Sequence, residues 1–232
     1  MVEQAIPQTK DWIISVILDQ AIDISEALDA KDIETLAKKF GHRAESNRTL
    51  QNFNQLMRVI FNVPNARVVR LRRAARDRRL IIMFGEDIAI PSYDHLSAGQ
   101  STLLILFAPL LRYADAWDIA KTQSLDDITG IALIDEIDAH LHGDLQYRAL
   151  PNLIKLFPKV QFIISAHSPF FLLGMRQVFG DEGFTIIDLP SGETIDAERY
   201  SEFEQSMLYL EILDPSNRAS KNEVCMPRNL AF

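Results

Sequence analysis

The hydrophobic positions of this chain change character at residue 66 and again near residue 130. Up to Phe40, Trp12, Ile13, Val16, Ile17, Ile24, Leu28, Ile33 and Leu36 recur at intervals of three and four, and Gly41 follows. Leu50, Phe53, Leu56, Met57, Ile60 and Phe61 repeat the pattern and stop before Pro64. Such spacing lines up apolar side chains on one face of a helix, and glycine and proline end it. The pattern predicts two or three amphipathic helices over 10–62, with apolar faces that serve as packing surface. Beyond Ala66, Arg67-Val68-Val69-Arg70-Leu71 and Leu80-Ile81-Ile82-Met83-Phe84 are short and rich in β-branched residues. They read as a strand pair.

A loop over 91–95 leads to Leu96-Ser97-Ala98-Gly99-Gln100 and then to an apolar run over 101–111. That run is apolar all round, which predicts a buried helix, and Ser97 is a good N-cap for it. The polar stretch 115–129 reads as a surface excursion. Ile131-Ala132-Leu133-Ile134 is unbroken by polar residues, as expected of a strand covered on both faces in a parallel sheet. A helix over 143–157, stopped by Pro158, precedes a second such strand, Val160-Gln161-Phe162-Ile163-Ile164-Ser165. Another helix over 170–178 precedes a third strand, Thr185-Ile186-Ile187-Asp188-Leu189, turned by Pro190-Ser191-Gly192. Alternating strands and helices predict an α/β fold with a parallel sheet. The expected divisions are a helical segment over 1–62, an α/β lobe over 63–195, and a terminal helix and tail over 196–232.

Composition narrows the class. The 232 residues are 47% hydrophobic and 24% charged, enough apolar material for a folded core. A net charge of −8 disfavours a protein that coats nucleic acid with its whole surface. Arg72, Arg73, Arg76, Arg78 and Arg79 are the local exception, a basic connection between the first two strands. They read either as a solvated loop or as contacts to DNA phosphates. A single cysteine, Cys225, excludes a disulfide framework and a cysteine-rich zinc site. No signal peptide opens the chain and no apolar run reaches membrane-spanning length, so the expected compartment is the cytoplasm, without membrane association.

Concentrated polar chemistry stands at two successive strand ends, Asp135-Glu136 and His167. Ligands of open parallel sheets bind beyond the carboxyl ends of the strands. Adjacent carboxylates there suit a division of labour, one holding Mg²⁺ and the other orienting or deprotonating a water, although an acidic pair after a strand also serves as plain helix capping. His140 and His142 lie close in sequence to Asp135 and Asp138, but histidines at a helix start are usually structural.

Taken in order, these segments resemble the C-terminal lobe of an ABC-type ATPase with a P-loop-NTPase-like sheet. Leu96-Ser97-Ala98-Gly99-Gln100 is similar to the signature motif, with Ala98 in place of one glycine. The 131–136 run is similar to the Walker B strand and its catalytic glutamate, Asp138 to the D-loop aspartate, and 163–168 to the switch strand with its histidine. The resemblance covers roughly 63–195. It implies that Asp135 holds Mg²⁺, that Glu136 polarises the attacking water, and that His167 contacts the γ-phosphate of ATP. It also implies that Ser97, Ala98, Gly99 and Gln100 cap a γ-phosphate bound by an opposite subunit, so that the site is completed in a dimer. Gly99 would allow close backbone approach to that phosphate, and the helix N-terminus behind it favours anions. The Ile137-Asp138-Ala139-His140-Leu141-His142 and Ser165-Ala166-His167-Ser168-Pro169 runs resemble the RecF/SMC/OLD-like AAA group more than transport ATPases. Members of that group act in DNA repair, chromosome maintenance and phage defence.

A P-loop requires G-x-x-x-x-G-K-[ST], and none of the nine glycines is followed by lysine. The expected function is therefore an ATP-binding and ATP-hydrolysing module that works with a P-loop from another segment or subunit and is nearly inactive alone. The alternatives are a non-catalytic half-module regulating a partner ATPase and, less favoured by the residues after Glu136, a transporter subunit. About 40 residues after Gly192 are too few for a nuclease domain.

Overall fold

The computed structural model describes residues 8–17, 48–70, 80–117, 124–189 and 191–196. Helical residues 8–17 (α1) and 48–61 (α2) carry the first predicted apolar stripes. Ile13, Phe53, Leu56, Met57 and Ile60 are all buried, in one core with Leu80, Ile82, Leu103 and Phe107 of the later elements. The intervening stripe from Ile24 to Phe40, the basic connection with Arg72, Arg73, Arg76, Arg78 and Arg79, and the terminal helix lie outside the described residues.

The predicted strand pair is present as β1 (Ala66–Arg70) and β2 (Leu80–Phe84), antiparallel with Val68 opposite Ile82. A third strand, β3 (Asp87–Ile90), returns along β2 after a turn in which Gly85 takes φ 65°. The sequence reading missed it. The signal was a glycine turn followed by the alternation Asp87-Ile88-Ala89-Ile90. The long helix α3 (Ala98–Trp117) starts where Ser97 predicts and runs through the start of the expected polar excursion. It is not buried all round. Leu103, Leu104, Phe107, Ala108 and Leu111 form one buried stripe, while Tyr113 is exposed.

Strands β4 (Gly130–Ile134) and β5 (Val160–Ile164) are parallel and in register, Ile134 facing Ile164. Their connection is a π-helical turn (Leu145–Ala149) continued by α4 (Leu150–Lys155). Phe107, Phe157 and Phe162 pack together at centroid separations of 6.2–6.5 Å, fastening α3 and the end of α4 to β5. Helix α5 (Pro169–Phe179) follows, its first turn capped by the Ser168 hydroxyl, which accepts the Phe170 N–H.

The fold is α/β, as the alternating pattern predicts, but two expectations fail. First, among the described residues β4 and β5 are covered on one face only. Ala132 points into the core, whereas Ile131, Leu133 and Ile163 are 67%, 75% and 52% exposed. An unbroken apolar run signals that both faces are apolar; it does not supply the second cover. Second, the third strand does not join that sheet. Ile186–Ile187 (β6) pairs antiparallel with Thr194–Ile195 (β7) instead. Gly192, at φ 75°, and an Asp188 carboxylate that accepts the Ser191 hydroxyl close this hairpin locally.

Candidate functional site

Parallel register fixes the first feature of the site. With Ile134 level with Ile164, the residues after each strand, Asp135 and Ser165, emerge side by side. The Ser165 N–H donates to the Ile134 carbonyl at 3.0 Å, and the Ile137 N–H donates to the Ser165 carbonyl at 3.1 Å. The Ser165 hydroxyl then serves both acids: it donates to the Asp135 carboxylate and accepts the Glu136 N–H at 2.8 Å. Glu136 has left the strand, with φ 48°, and His140 has φ 63°. A left-handed conformation costs a residue with a Cβ about 1–2 kcal/mol, and such residues concentrate where a site needs a backbone the chain would not otherwise choose. The two acids therefore do not simply alternate across a pleat, as adjacent strand residues would. The carboxylates of both remain exposed.

The second feature is the buried Asp138, 8% exposed. Its carboxylate accepts the backbone N–H of His167 at 3.0 Å, fixing the chain just past β5. His167 itself is exposed at the mouth of the cluster. Gln146, in the π-helical turn, donates through Nε2 to the carbonyls of Asp138 (3.0 Å) and Leu141 (2.8 Å). Its Oε1 accepts the hydroxyl of Ser168. The π-helical turn sits close against α5: a Cβ on Gly174 would lie 2.1 Å from the Tyr147 carbonyl oxygen.

The third feature is the start of α3. The Ser97 hydroxyl accepts the Gln100 N–H at 3.3 Å, and the Gln100 side-chain carbonyl accepts the Ser97 N–H at 2.9 Å. This is a capping box, which satisfies two helix-end donors reciprocally. Gly99 is buried, and a Cβ there would stand 2.6 Å from Leu145 Cδ1 and 3.6 Å from Leu141 Cδ2. Its missing side chain lets α3 pack closely on the turn that follows β4. Ahead of the box, the Lys10 ammonium pairs with Asp94 at 2.7 Å. That hydrogen bond, followed by the coulombic attraction of Lys10 and the Ser92 hydroxyl, outweighs partial desolvation and lowers the Asp94 pKa.

The structure thus gathers Asp135, Glu136, Asp138 and His167 into one loop cluster, and joins Ser97, Ala98, Gly99 and Gln100 to it through Leu141 and Leu145. Sequence reading assigned no role to Ser165, Gln146 or Ser168. Ser165 was recoverable from strand register and Ser168 from its place before Pro169, a helix-start pattern; nothing local marks Gln146. Among the described residues, no three His, Cys, Asp or Glu side chains converge as a metal site, His140 and His142 included. Asp135 and Ser165 are hard oxygen donors, and one carboxylate beside bound phosphates and waters is how Mg²⁺ is usually held. The donor set fits Mg²⁺.

An α/β sheet with acids and a histidine at its strand ends places polar side chains where ligands of open parallel sheets bind. The chain belongs to the family described as "AAA domain, putative AbiEii toxin, Type IV TA system", whose profile matches residues 17–173. It is 37% identical over 107 residues to the "Retron Ec83 probable ATPase" of Escherichia coli, covering 46% of this chain and 19% of that protein. It is 34% identical over 95 residues to the "Septu protein PtuA" of Bacillus mycoides (strain KBAB4), covering 40% of this chain and 13% of that protein. The chain spans about a fifth or less of the length of these curated relatives. Among solved structures it is similar to an Smc head domain with a coiled coil and joint from Pyrococcus yayanosii, at TM-score 0.40 and 16% identity over 75% of this chain and 33% of that one. Among the described residues, no helix is long and apolar enough to cross a membrane.

Proposed function

We propose that this chain is the ATP-hydrolysing half of an ABC-type AAA ATPase of the RecF/SMC/OLD-like kind, working in phage defence or chromosome maintenance. The P-loop is supplied by another segment or subunit. The observation that carries the reading is the loop cluster itself: Asp135, Glu136, Asp138 and His167 stand together at the carboxyl ends of a parallel strand pair, with Glu136 held left-handed. In this role Asp135 holds Mg²⁺ and Glu136 faces the attacking water, while His167 meets the γ-phosphate. When bound there, Mg²⁺ would supply positive charge against the charge developing on the transferred phosphoryl group. Ser97, Ala98 and the start of α3 face the nucleotide of an opposite subunit, since Ser97 and Ala98 are the exposed members of their turn and the first N–H groups of a helix favour anions.

The bare face of β4–β5 supports a P-loop lobe docked there. Ile131, Leu133 and Ile163 offer an apolar surface that a helix would cover, and a strand added in parallel would end beside Asp135. Arg72, Arg73, Arg76, Arg78 and Arg79 contact DNA phosphates in the assembled enzyme; reversing them to Glu then weakens every DNA sequence alike and flattens the salt dependence. A specific observation favours a second reading, a non-catalytic half-module. Ser97, Gln100 and Gly99 each have an intrachain partner sufficient to explain their presence.

The deciding experiment measures steady-state ATP turnover of the chain alone and with a separately expressed P-loop-bearing lobe. Turnover is expected only in the mixture. Glu136→Gln should keep ATP binding and lower the rate about 10²–10⁴-fold, and Leu133→Asp should prevent the two polypeptides from co-purifying. Steady turnover by the chain alone, or full activity in Glu136→Gln, defeats the proposal.

A further inference from the structure

We infer that Gln146 is a positioning residue for this site, the side chain that locks the turn after β4 to the chain leaving β5 and so sets where His167 stands. The inference rests on the proposed role of His167. Its starting point is how completely Gln146 is used. Both amide hydrogens are committed on one side, to the carbonyls of Asp138 and Leu141. The amide oxygen is committed on the other, to the hydroxyl of Ser168. Ser168 in turn accepts the Phe170 N–H at the start of α5. A glutamine is the side chain that bridges a pair of carbonyl acceptors and a hydroxyl donor at once, because it carries two donors and an acceptor on one rigid plane.

Beyond the bonds of Ser165, two cross-links join the strand ends at His167 and just after it. One runs directly, from the His167 N–H to the Asp138 carboxylate. The other runs through Gln146, from the Asp138 and Leu141 carbonyls to Ser168. Without the second, the chain just after His167 loses its bridge to the turn that follows β4. The backbone form of Gln146 fits the role, since it lies in the π-helical turn Leu145–Ala149 and wide turns of this kind recur at functional sites. Its neighbour Leu145 meets Gly99 at the start of α3, so the same turn also steadies Ser97 and Ala98.

The test compares the wild-type chain with Gln146→Met and Ser168→Ala by amide hydrogen exchange. The expected result is exchange at His167 and the neighbouring amides about tenfold faster or more in each variant, with amides in α4 such as Leu153 unchanged. Protection at His167 that stays at the wild-type level in folded Gln146→Met overturns the inference, and so does a uniform loss across α4, which marks a general structural role. Should Gln146→Met fail to fold, Ser168→Ala carries the measurement alone. A second arm measures turnover in the P-loop-completed enzyme, where kcat should fall about tenfold or more while KM stays within about twofold. Unchanged kcat overturns the positioning role. The exchange arm contains no nucleotide, so it answers independently; absence of turnover in the wild-type mixture counts against the ATPase reading instead.

Discussion

Two turns meet in this molecule, and they are built on opposite principles. The turn at 96–100 is relaxed: Ser97 and Gln100 cap each other, Gly99 packs against Leu145, and the non-glycine residues with positive φ lie elsewhere. The turn at 135–140 is strained, with Glu136 and His140 left-handed, two exposed carboxylates, and a buried Asp138 committed to the next strand's end. The first is what a stable helix start looks like, whatever else it does. The second costs stability locally and is held by long-range bonds to Ser165 and His167. Local strain over-determined by distant partners is the stronger structural mark of function.

The largest change in stability is expected beneath the strained turn. Gly174→Ala would drive a methyl group into the Tyr147 carbonyl, where backbone on both sides resists movement. Overpacking of this kind costs about 1–3 kcal/mol, and the upper end is expected on chemical denaturation. A smaller loss would mean that the π-helical turn is free to shift and gives the site no firm base.

Ser97→Ala should cost about 1 kcal/mol, the usual worth of an N-cap. Glu136→Gly should move the other way and stabilise the chain by roughly 0.5–1 kcal/mol, since the relief of left-handed strain exceeds the entropy cost of glycine. Opposite signs for these two variants are the sharpest form of the comparison; a destabilised Glu136→Gly would remove the claim that the acidic turn stores strain.

The smallest effect concerns the ion pair that anchors the relaxed turn. Hydrogen bonding to Lys10 lowers the Asp94 pKa in the folded state. A depressed carboxylate pKa contributes stability that is fully present above the unfolded value, near 3.8, and is lost as the pH falls through the folded one. The Asp94 end of the pair is exposed, so Lys10→Met should cost less than about 1 kcal/mol at neutral pH. The difference between wild type and Lys10→Met should shrink below about pH 4. An undiminished difference in acid would assign the contribution to the Lys10 methylenes.

Much of this was legible in the chain itself because it depends on neighbours in sequence. The three-and-four spacing of Phe53, Leu56, Met57 and Ile60 fixed a helix and its buried face. Ser97 fixed where one helix begins, and the largely apolar runs before Asp135 and Ser165 fixed two strands with acids and a histidine at their ends. Family resemblance followed from the order of those local pieces.

Other features are set by residues far apart, and no local pattern encodes them. The choice between a parallel and an antiparallel partner sent Ile186–Ile187 to a hairpin with Thr194–Ile195. The bare face of Ile131, Leu133 and Ile163 depends on what packs above the sheet, which an apolar run cannot specify. Ser165 reaches Asp135 across 30 positions, and Gln146 reaches Ser168 across 22. Gly99 reads as a phosphate contact in a short motif, and only the approach of Leu145 gives its missing Cβ an intramolecular use. Backbone period and capping are decided within a few residues by sterics and hydrogen bonding; register, cover and strain are decided by the whole chain closing on itself.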